Sequence, residues 1–208
     1  MRLKTFFLTL NLLAGFLGFS QKQILNTLDS EAVKGIFIDS DEVFEVFVKA
    51  TESVDFSVSA EVEGETFETL KLNTEVKNGL WHIETGRSLG FRNIDDKLAA
   101  HKVLSVVLFI EIPQNKEVWV ESNLASVQLT GSFCQINLNL SGGGCTLKEF
   151  NGNGIVNTLR GKIIAEVLNT KVSAQSRNGK VSLEQVAAEN GSLILKSIDG
   201  DISVRQSE

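Results

Sequence analysis

The sequence predicts an all-β protein, with a C-terminal stacked-strand β-solenoid preceded by a mainly antiparallel β-sheet region. Three observations carry this expectation. From residue 118 onward an apolar side chain opens a short segment at Val118, Val127, Ile136, Cys145, Ile155, Ile163, Val172, Val181, Leu193 and Ile202, mostly nine residues apart. A second apolar residue follows two positions later in most segments, as at Leu129, Leu138, Leu147, Ala165, Ala174, Leu183, Leu195 and Val204. Asn, Gly, Ser or Asp then closes the unit. A period of two inside a nine-residue repeat describes short strands buried on one face, and so small a unit hides its stripe only by stacking on its neighbours.

Residues 1–20 are a different material. Arg2 and Lys4 precede a mostly apolar run from Phe6 to Phe19, and Gly18 and Ser20 are small residues just before Gln21. That pattern is a signal peptide cut at Ser20–Gln21. The run is short for a bilayer span, so an uncleaved anchor is the weaker reading. No Cys lies near the cut to take a lipid, and no later stretch is apolar enough to make the mature chain an integral membrane protein. Without the leader the chain has 18 Lys+Arg against 26 Asp+Glu, a net charge of −8. Nucleic acid is therefore not an expected partner, nor is an anionic membrane.

The region 21–112 follows in order. Gln21 to Lys34 is polar with scattered apolar residues, and clear alternation starts at Ile36 and Ile38. Val43, Val46 and Val48 mark one strand, and Phe56, Val58, Ala60 and Val62 mark another. Phe67 to Lys77 and Leu80 to Glu84 form two more around Asn78-Gly79, a hairpin signal. Apolar residues on one face and charge on the other suit a half-solvated antiparallel sheet. Arg87 to Lys102 breaks the rhythm, with a short helix capped near Asn93 or a loop equally compatible. Val103 to Ile112 is nearly continuous apolar strand, of the kind covered on both faces.

Pro113, the only proline in the chain, marks the border with region 113–208. Acidic residues fall from 17 in residues 21–112 to 9 beyond it, and ten of the 17 glycines lie in the second part. Asn-Gly and Asp-Gly pairs sit at segment boundaries, where tight corners favour positive φ. Two or three units per coil are both compatible with the spacing. The expected buried column runs through Val127, Leu129, Ile136, Leu138, Cys145, Leu147, Ile155, Leu159, Ile163, Val167, Val172, Val181, Leu183, Leu193, Leu195, Ile202 and Val204.

Chemistry-bearing residues are sparse. Cys134 and Cys145, the only cysteines, share the inward parity of their segments, so a disulfide in an exported chain and two buried free thiols are both open. No basic side chain nearby would activate either as a catalytic thiol. His82 alternates within a strand and His101 lies in the irregular crossover, which suits packing better than ligation. Asp39, Asp41 and Glu42, and separately Asp199 and Asp201, could offer hard oxygens to calcium, although acidic turns explain them as well. Gly142-Gly143-Gly144 has no aspartate after it, so a calcium-binding β-roll does not fit. Glu149, Glu166, Glu184 and Glu189 are scattered rather than paired for glycan hydrolysis. Trp81 and Trp119 could stack on sugars or simply pack. No cofactor, metal site or catalytic residue is expected.

The strand Leu108-Phe109-Ile110-Glu111-Ile112-Pro113 leads into Val118-Trp119-Val120-Glu121-Ser122, and turns such as Arg177-Asn178-Gly179-Lys180 and Ile198-Asp199-Gly200-Asp201 follow. This resembles the adhesin-type DUF4097 family. Asp95-Asp96-Lys97-Leu98-Ala99-Ala100-His101-Lys102-Val103 is similar to a segment of exported flavobacterial members. The resemblance implies a parallel or mixed β-solenoid with an adhesive or cell-envelope role and supplies no catalytic residues. The expectation is a non-enzymatic exported scaffold whose partner is an envelope protein or a surface glycan. A carbohydrate-binding module is the alternative, and a glycan-active β-helix enzyme comes third.

Overall fold

The computed structural model of the chain describes residues 22–29, 33–39, 41–63, 70–87, 105–184 and 190–207. The expected signal peptide, the segment from Asn93 to Ala100, His101 and Glu189 lie outside them. All fifteen described elements are strands, and they join in one mixed sheet.

The sheet has two rows that share one apolar core. The first row runs β1 (Lys22–Asp29), β4 (Asp55–Glu63), β7 (Ser105–Pro113), β3 (Val43–Thr51), then the first half of β9 (Ser126–Leu140) and of β10 (Cys145–Thr158), then β11 (Ile163–Val167), β15 (Ile202–Gln206) and β13 (Val181–Leu183). The second runs β5 (Leu70–Lys77), β6 (Leu80–Arg87), β2 (Gly35–Asp39), β8 (Glu117–Ser122), the second halves of β9 and β10, then β14 (Ser192–Ser197) and β12 (Lys171–Ser176). Phe56 of β4 and Trp81 of β6 meet edge to face across the core, with ring centroids 6.2 Å apart. Strands β9 and β10 belong to both rows because each turns a corner in its middle. Gly131 (φ 105°) marks the first corner, and Glu149 (φ 49°) with Gly152 (φ 144°) marks the second.

Pairing in the N-terminal region is mixed rather than mainly antiparallel. Antiparallel ladders join β1 to β4, β4 to β7 and β5 to β6. Strand β2 is parallel to both β6 and β8, and β3 is parallel to both β7 and β9. Alternating burial is the same in either kind of ladder, so the residue pattern alone does not separate them. The Asn78-Gly79 turn is as expected, with positive φ at both residues (55° and 79°). Strand β7 is buried on one face only. Phe109 points outward, 40% exposed, and stacks on Phe47 at 5.2 Å.

In the parallel pairings of β8 with β9, β9 with β10 and β10 with β11, a residue meets its counterpart two units further along the chain. Val118 lies opposite Ile136, Val127 opposite Cys145, and Cys145 opposite Ile163. Most of the expected column is inside. Leu129, Leu138, Leu147, Ile163, Val167, Leu193 and Leu195 are fully buried. Five positions depart from it. The register shifts by one residue between Lys148 and Asn151 and shifts back between Gly152 and Asn153, so Gly154 lies opposite Ile136 and Val156 opposite Leu138. Val156 therefore faces inward, and Ile155, opposite the outward Asn137, does not. Thr158 then takes the last inward place, leaving Leu159 40% exposed in the turn. Val172 is half-buried, and Val181 and Leu183 are exposed, because β12 and β13 are the outermost strands of their rows.

That outer position reflects an insertion. The last two strands in sequence, β14 and β15, are not the last in space. Ile163 lies opposite Ile202, and Ile202 opposite Val181; in the second row, Val156 lies opposite Leu195 and Leu195 opposite Ala174. The segment after β11 therefore skips one level through Leu168–Thr170, with Asn169 at φ 49° and Thr170 fully buried. The C-terminal pair occupies the level it leaves.

Corners between the rows are built from small residues. Ser197 Oγ accepts from Gly200 N–H at 2.8 Å, Ser176 Oγ accepts from Gly179 N–H at 3.0 Å, and Thr158 Oγ1 lies 2.8 Å from the Gly161 carbonyl oxygen. Each case is a Ser or Thr three positions before a Gly. The glycines stack in the same spatial order as the strands. A Cβ on Gly161 would lie 1.8 Å from the Gly143 carbonyl oxygen, and one on Gly200 would lie 2.0 Å from that of Gly161. Backbone occupies that space, so relief requires the ladder to part. Gly161→Ala is expected to cost about 2–3 kcal/mol. That lowers the melting temperature by roughly 5–10 °C in a chain of this size, readable by circular dichroism.

Candidate functional site

The outer face of the second row carries two parallel lanes of side chains, fixed by strand register. In the first lane His82, Phe37 and Trp119 are successive cross-strand neighbours on β6, β2 and β8, followed by Asn137, Ile155 and Ile194 on β9, β10 and β14. The Phe37 and His82 ring centroids are 4.9 Å apart. Two positions further along each strand lies the second lane. Glu84, Asp39 and Glu121 give way to Asn139 and Asn157, and then to Lys196 and Gln175. At the usual spacing of about 4.8 Å, the six strands from β2 to β12 spread this lane over roughly 24 Å.

The polar lane borders a groove against the corner turns. One section, about 420 Å³, is lined by Asp39, Asp41, Glu121, Asn123, Asn139 and Ser141 among others. The next section, about 480 Å³, shares Asn139 and Ser141 and continues past Asn157, Leu159, Lys196 and Arg177. Hydrogen bonds fix its middle. Asn157 Nδ2 donates to Asn139 Oδ1 at 2.9 Å, Ser141 Oγ donates to Asn123 Oδ1 at 3.0 Å, and Asp41 Oδ1 accepts from Asn123 N–H and Nδ2 at 3.1 and 3.0 Å. One end is acidic, the middle is amide and hydroxyl, and the far end is basic.

The first row pairs opposite charges at two places and two acids, Asp29 and Asp55, at the end of its outermost ladder. Lys49 faces Glu111 across the ladder, and Glu166 is ion-paired with Arg205. Opposite charges as neighbours stabilise a sheet, whereas like charges directly opposite destabilise it. Glu84, Asp39 and Glu121 stand side by side on three adjacent strands. That placement is not one that stability favours.

The residues singled out in the sequence separate accordingly. Asp39 and Asp41 line the groove, and Glu42 follows them in the chain, half-buried. No group of three or more His, Cys, Asp or Glu side chains among the described residues is arranged to hold a metal ion. Asp199 and Asp201 brace turns, the first accepting from Asn178 Nδ2 at 2.6 Å and the second from Lys180 N–H at 2.8 Å. Glu149 sits at the β10 corner, Glu166 on the first row and Glu184 just after β13, so they are not brought together. Trp81 is core at 2% exposure. Trp119 is on the outer lane, its indole N–H donating to Glu117 Oε2 at 3.3 Å. Asn123, Asn139 and Asn157 do not stand out in the sequence, although the last two are two nine-residue units apart.

Both cysteines are free thiols, and their expected common parity does not hold: Cys145 is buried and Cys134 is exposed at the β9 corner. Burial pushes the Cys145 thiol well above its ordinary range. A native chain is therefore expected to take up one thiol-specific label at Cys134, with Cys145 reacting only on unfolding. Mass spectrometry of the labelled chain checks this, and zero native labels would instead indicate a bridge. Because the folded Cys145 thiol is held neutral, its contribution to stability is present at neutral pH and lost above about pH 8.5, where the unfolded thiol ionises.

Neither the family models nor the curated proteins compared with this chain match it. Solved structures do. A candidate cell adhesion protein from Clostridium sporogenes superimposes with a TM-score of 0.64 at 13% identity, covering 90% of this chain and 100% of that chain. A candidate adhesin from Bacteroides fragilis gives 0.39 at 12% identity over 90% and 99% of the two chains. One from Parabacteroides distasonis gives 0.31 at 14% identity over 85% and 97%. At such identity the first likeness establishes a shared fold.

Proposed function

We propose that this chain is an exported, non-enzymatic contact protein of the cell envelope, a DUF4097-type adhesin built on a two-row parallel β-solenoid. The parallel register supports the solenoid reading, since from β8 to β11 each unit pairs with the one two further on, and the remaining strands stack on these in parallel. The observation that carries the functional reading is the second row's outer face, where Glu84, Asp39 and Glu121 are held in register at a cost to the sheet, beside a lane that holds Phe37 and Trp119. A rigid scaffold that displays side chains at fixed intervals suits binding of an extended partner, either an envelope protein or a surface glycan. The Clostridium sporogenes neighbour, named for cell adhesion, is in keeping with that role. The basic, then apolar start of the chain supports export.

The test is adherence. Beads coated with the chain are expected to retain isolated cell envelopes of the source bacterium, and retention is expected to fall when Asp39 and Glu121 are both changed to Lys. The native protein should fractionate outside the cytoplasm. Cytoplasmic residence, or no retention above albumin-coated beads, would overturn the proposal.

A further inference from the structure

We infer that the groove along the second row binds a linear oligosaccharide lying across the strands. This rests on the contact role proposed above and names its ligand class. Three features select that chemistry. First, the outer face offers side chains only, because the strands beneath it are already paired in the ladder on both sides from β2 to β14. An extended peptide binding by strand addition needs an open edge, which the lane meets only at its far end on β12. Recognition must come from side-chain donors and acceptors. Second, the groove supplies them as planar groups of both kinds. The amides of Asn139 and Asn157 each donate and accept, Asp39 and Glu121 accept, and Lys196 and Arg177 donate. A chain of hydroxyl groups can engage that whole series. Third, the apolar lane runs alongside. Phe37 and Trp119 place half-buried aromatic rings in it, and beyond Asn137 on β9 the half-buried Ile155 and Ile194 resume the apolar stripe. A sugar ring has an apolar C–H face and a hydroxyl rim, and the paired lanes match both.

The geometry also sets the ligand's length and direction. A lane of roughly 24 Å accommodates an oligomer and exceeds what a single sugar would fill. Its acidic start and basic end make the two directions of a substituted chain inequivalent, with amino groups favoured near Asp39 and Glu121 and carboxylates near Lys196 and Arg177.

The experiment titrates the full chain with cellohexaose, laminarihexaose, chitohexaose and an alginate hexamer by isothermal calorimetry. Saturable binding of at least one is expected. Asn139→Ala with Asn157→Ala should weaken it about tenfold or more, as loss of two hydrogen-bonding groups implies. Both side chains lie on the outer face, so the melting temperature should stay near that of the parent. Thr146→Ala on the first row should bind normally. Lys196→Glu is expected to weaken alginate most and chitohexaose least. The inference falls if none of the four saturates, if the Asn variants bind unchanged, or if a Lys-rich peptide competes for Asp39 and Glu121 where no sugar binds. Envelope retention that persists without sugar binding would overturn this inference alone, whereas loss of both would remove the contact role as well.

Discussion

Leu138→Asp is expected to destabilise the protein by about 4 kcal/mol, while Leu183→Asp changes stability by no more than about 0.5 kcal/mol. The two leucines hold equivalent places in the sequence repeat, each two positions after the opening apolar side chain of its unit. Their surroundings differ completely. Leu138 is fully buried on β9, with Val120 on β8 and Val156 on β10 beside it in register. A carboxylate there has no cation within the core, so it must be buried charged or neutralised at a cost. Leu183 is 52% exposed on β13, which pairs with β15 on one side and is outermost in its row. Its carboxylate would remain hydrated. Urea denaturation of the two variants provides the comparison, with a melting temperature lowered by roughly 8–16 °C for Leu138→Asp alone. Equal losses would mean that β13 is covered in solution, contrary to its place in the fold.

This pair also shows what the residue pattern reveals. A nine-residue beat encodes which side of a strand faces inward, because that is a local property with a period of two. It read correctly through Leu129, Leu138, Leu147 and Leu195. It failed at Ile155, because Gly154 holds the inward place opposite Ile136 and Val156 the next one opposite Leu138, which turns Ile155 outward. Neither the parallel pairing of β2 and β3 nor the position of β14 was legible, since alternation is blind to which strand lies next door. The corner chemistry was present in the sequence as Thr158-Leu159-Arg160-Gly161, Ser176-Arg177-Asn178-Gly179 and Ser197-Ile198-Asp199-Gly200. Its meaning depends on the hydroxyl turning inward, which only the fold supplies.

The candidate groove was less legible still. Asp39, Asp41 and Trp119 stood out singly, as acids able to ligate and an aromatic able to stack. Asp39 and Glu121 are remote in sequence yet adjacent in register, and Asn157 meets Lys196 across several intervening strands of chain. The first separation reflects the long excursion through β3 to β7, the second the insertion of the C-terminal strands. Both are topological, so no spacing rule applied to the chain finds the lane.

Ending the chain after Gly191 is expected to shift β12 and β13 inward by one level rather than leave the vacated slot open. The spacing permits it. The steps from Gly154 to Val172, Val156 to Ala174, Ile163 to Val181 and Ala165 to Leu183 all equal the step that pairs Val127 with Cys145 and Cys145 with Ile163. Ile155→Cys with Ser173→Cys, in a Cys134→Ser background, distinguishes the two arrangements. In the full chain Ile194 lies between these positions, opposite both of them, which separates them by roughly 9.6 Å. A disulfide reaches no further than about 7 Å between Cα atoms. The truncated chain should therefore form the bridge and the full chain should not. A bridge in both would refute the insertion; a folded truncated chain with none would refute the restacking. The full chain prefers insertion for a reason visible in the side chains. Strands β14 and β15 bring Leu193, Leu195, Ile202 and Val204 to the core, whereas β12 and β13 carry Val172, Ala174, Val181 and Leu183 at the equivalent places, half-buried or exposed. The outermost level is covered on one side only, so placing the smaller set there and the larger set beneath it removes more apolar surface from water.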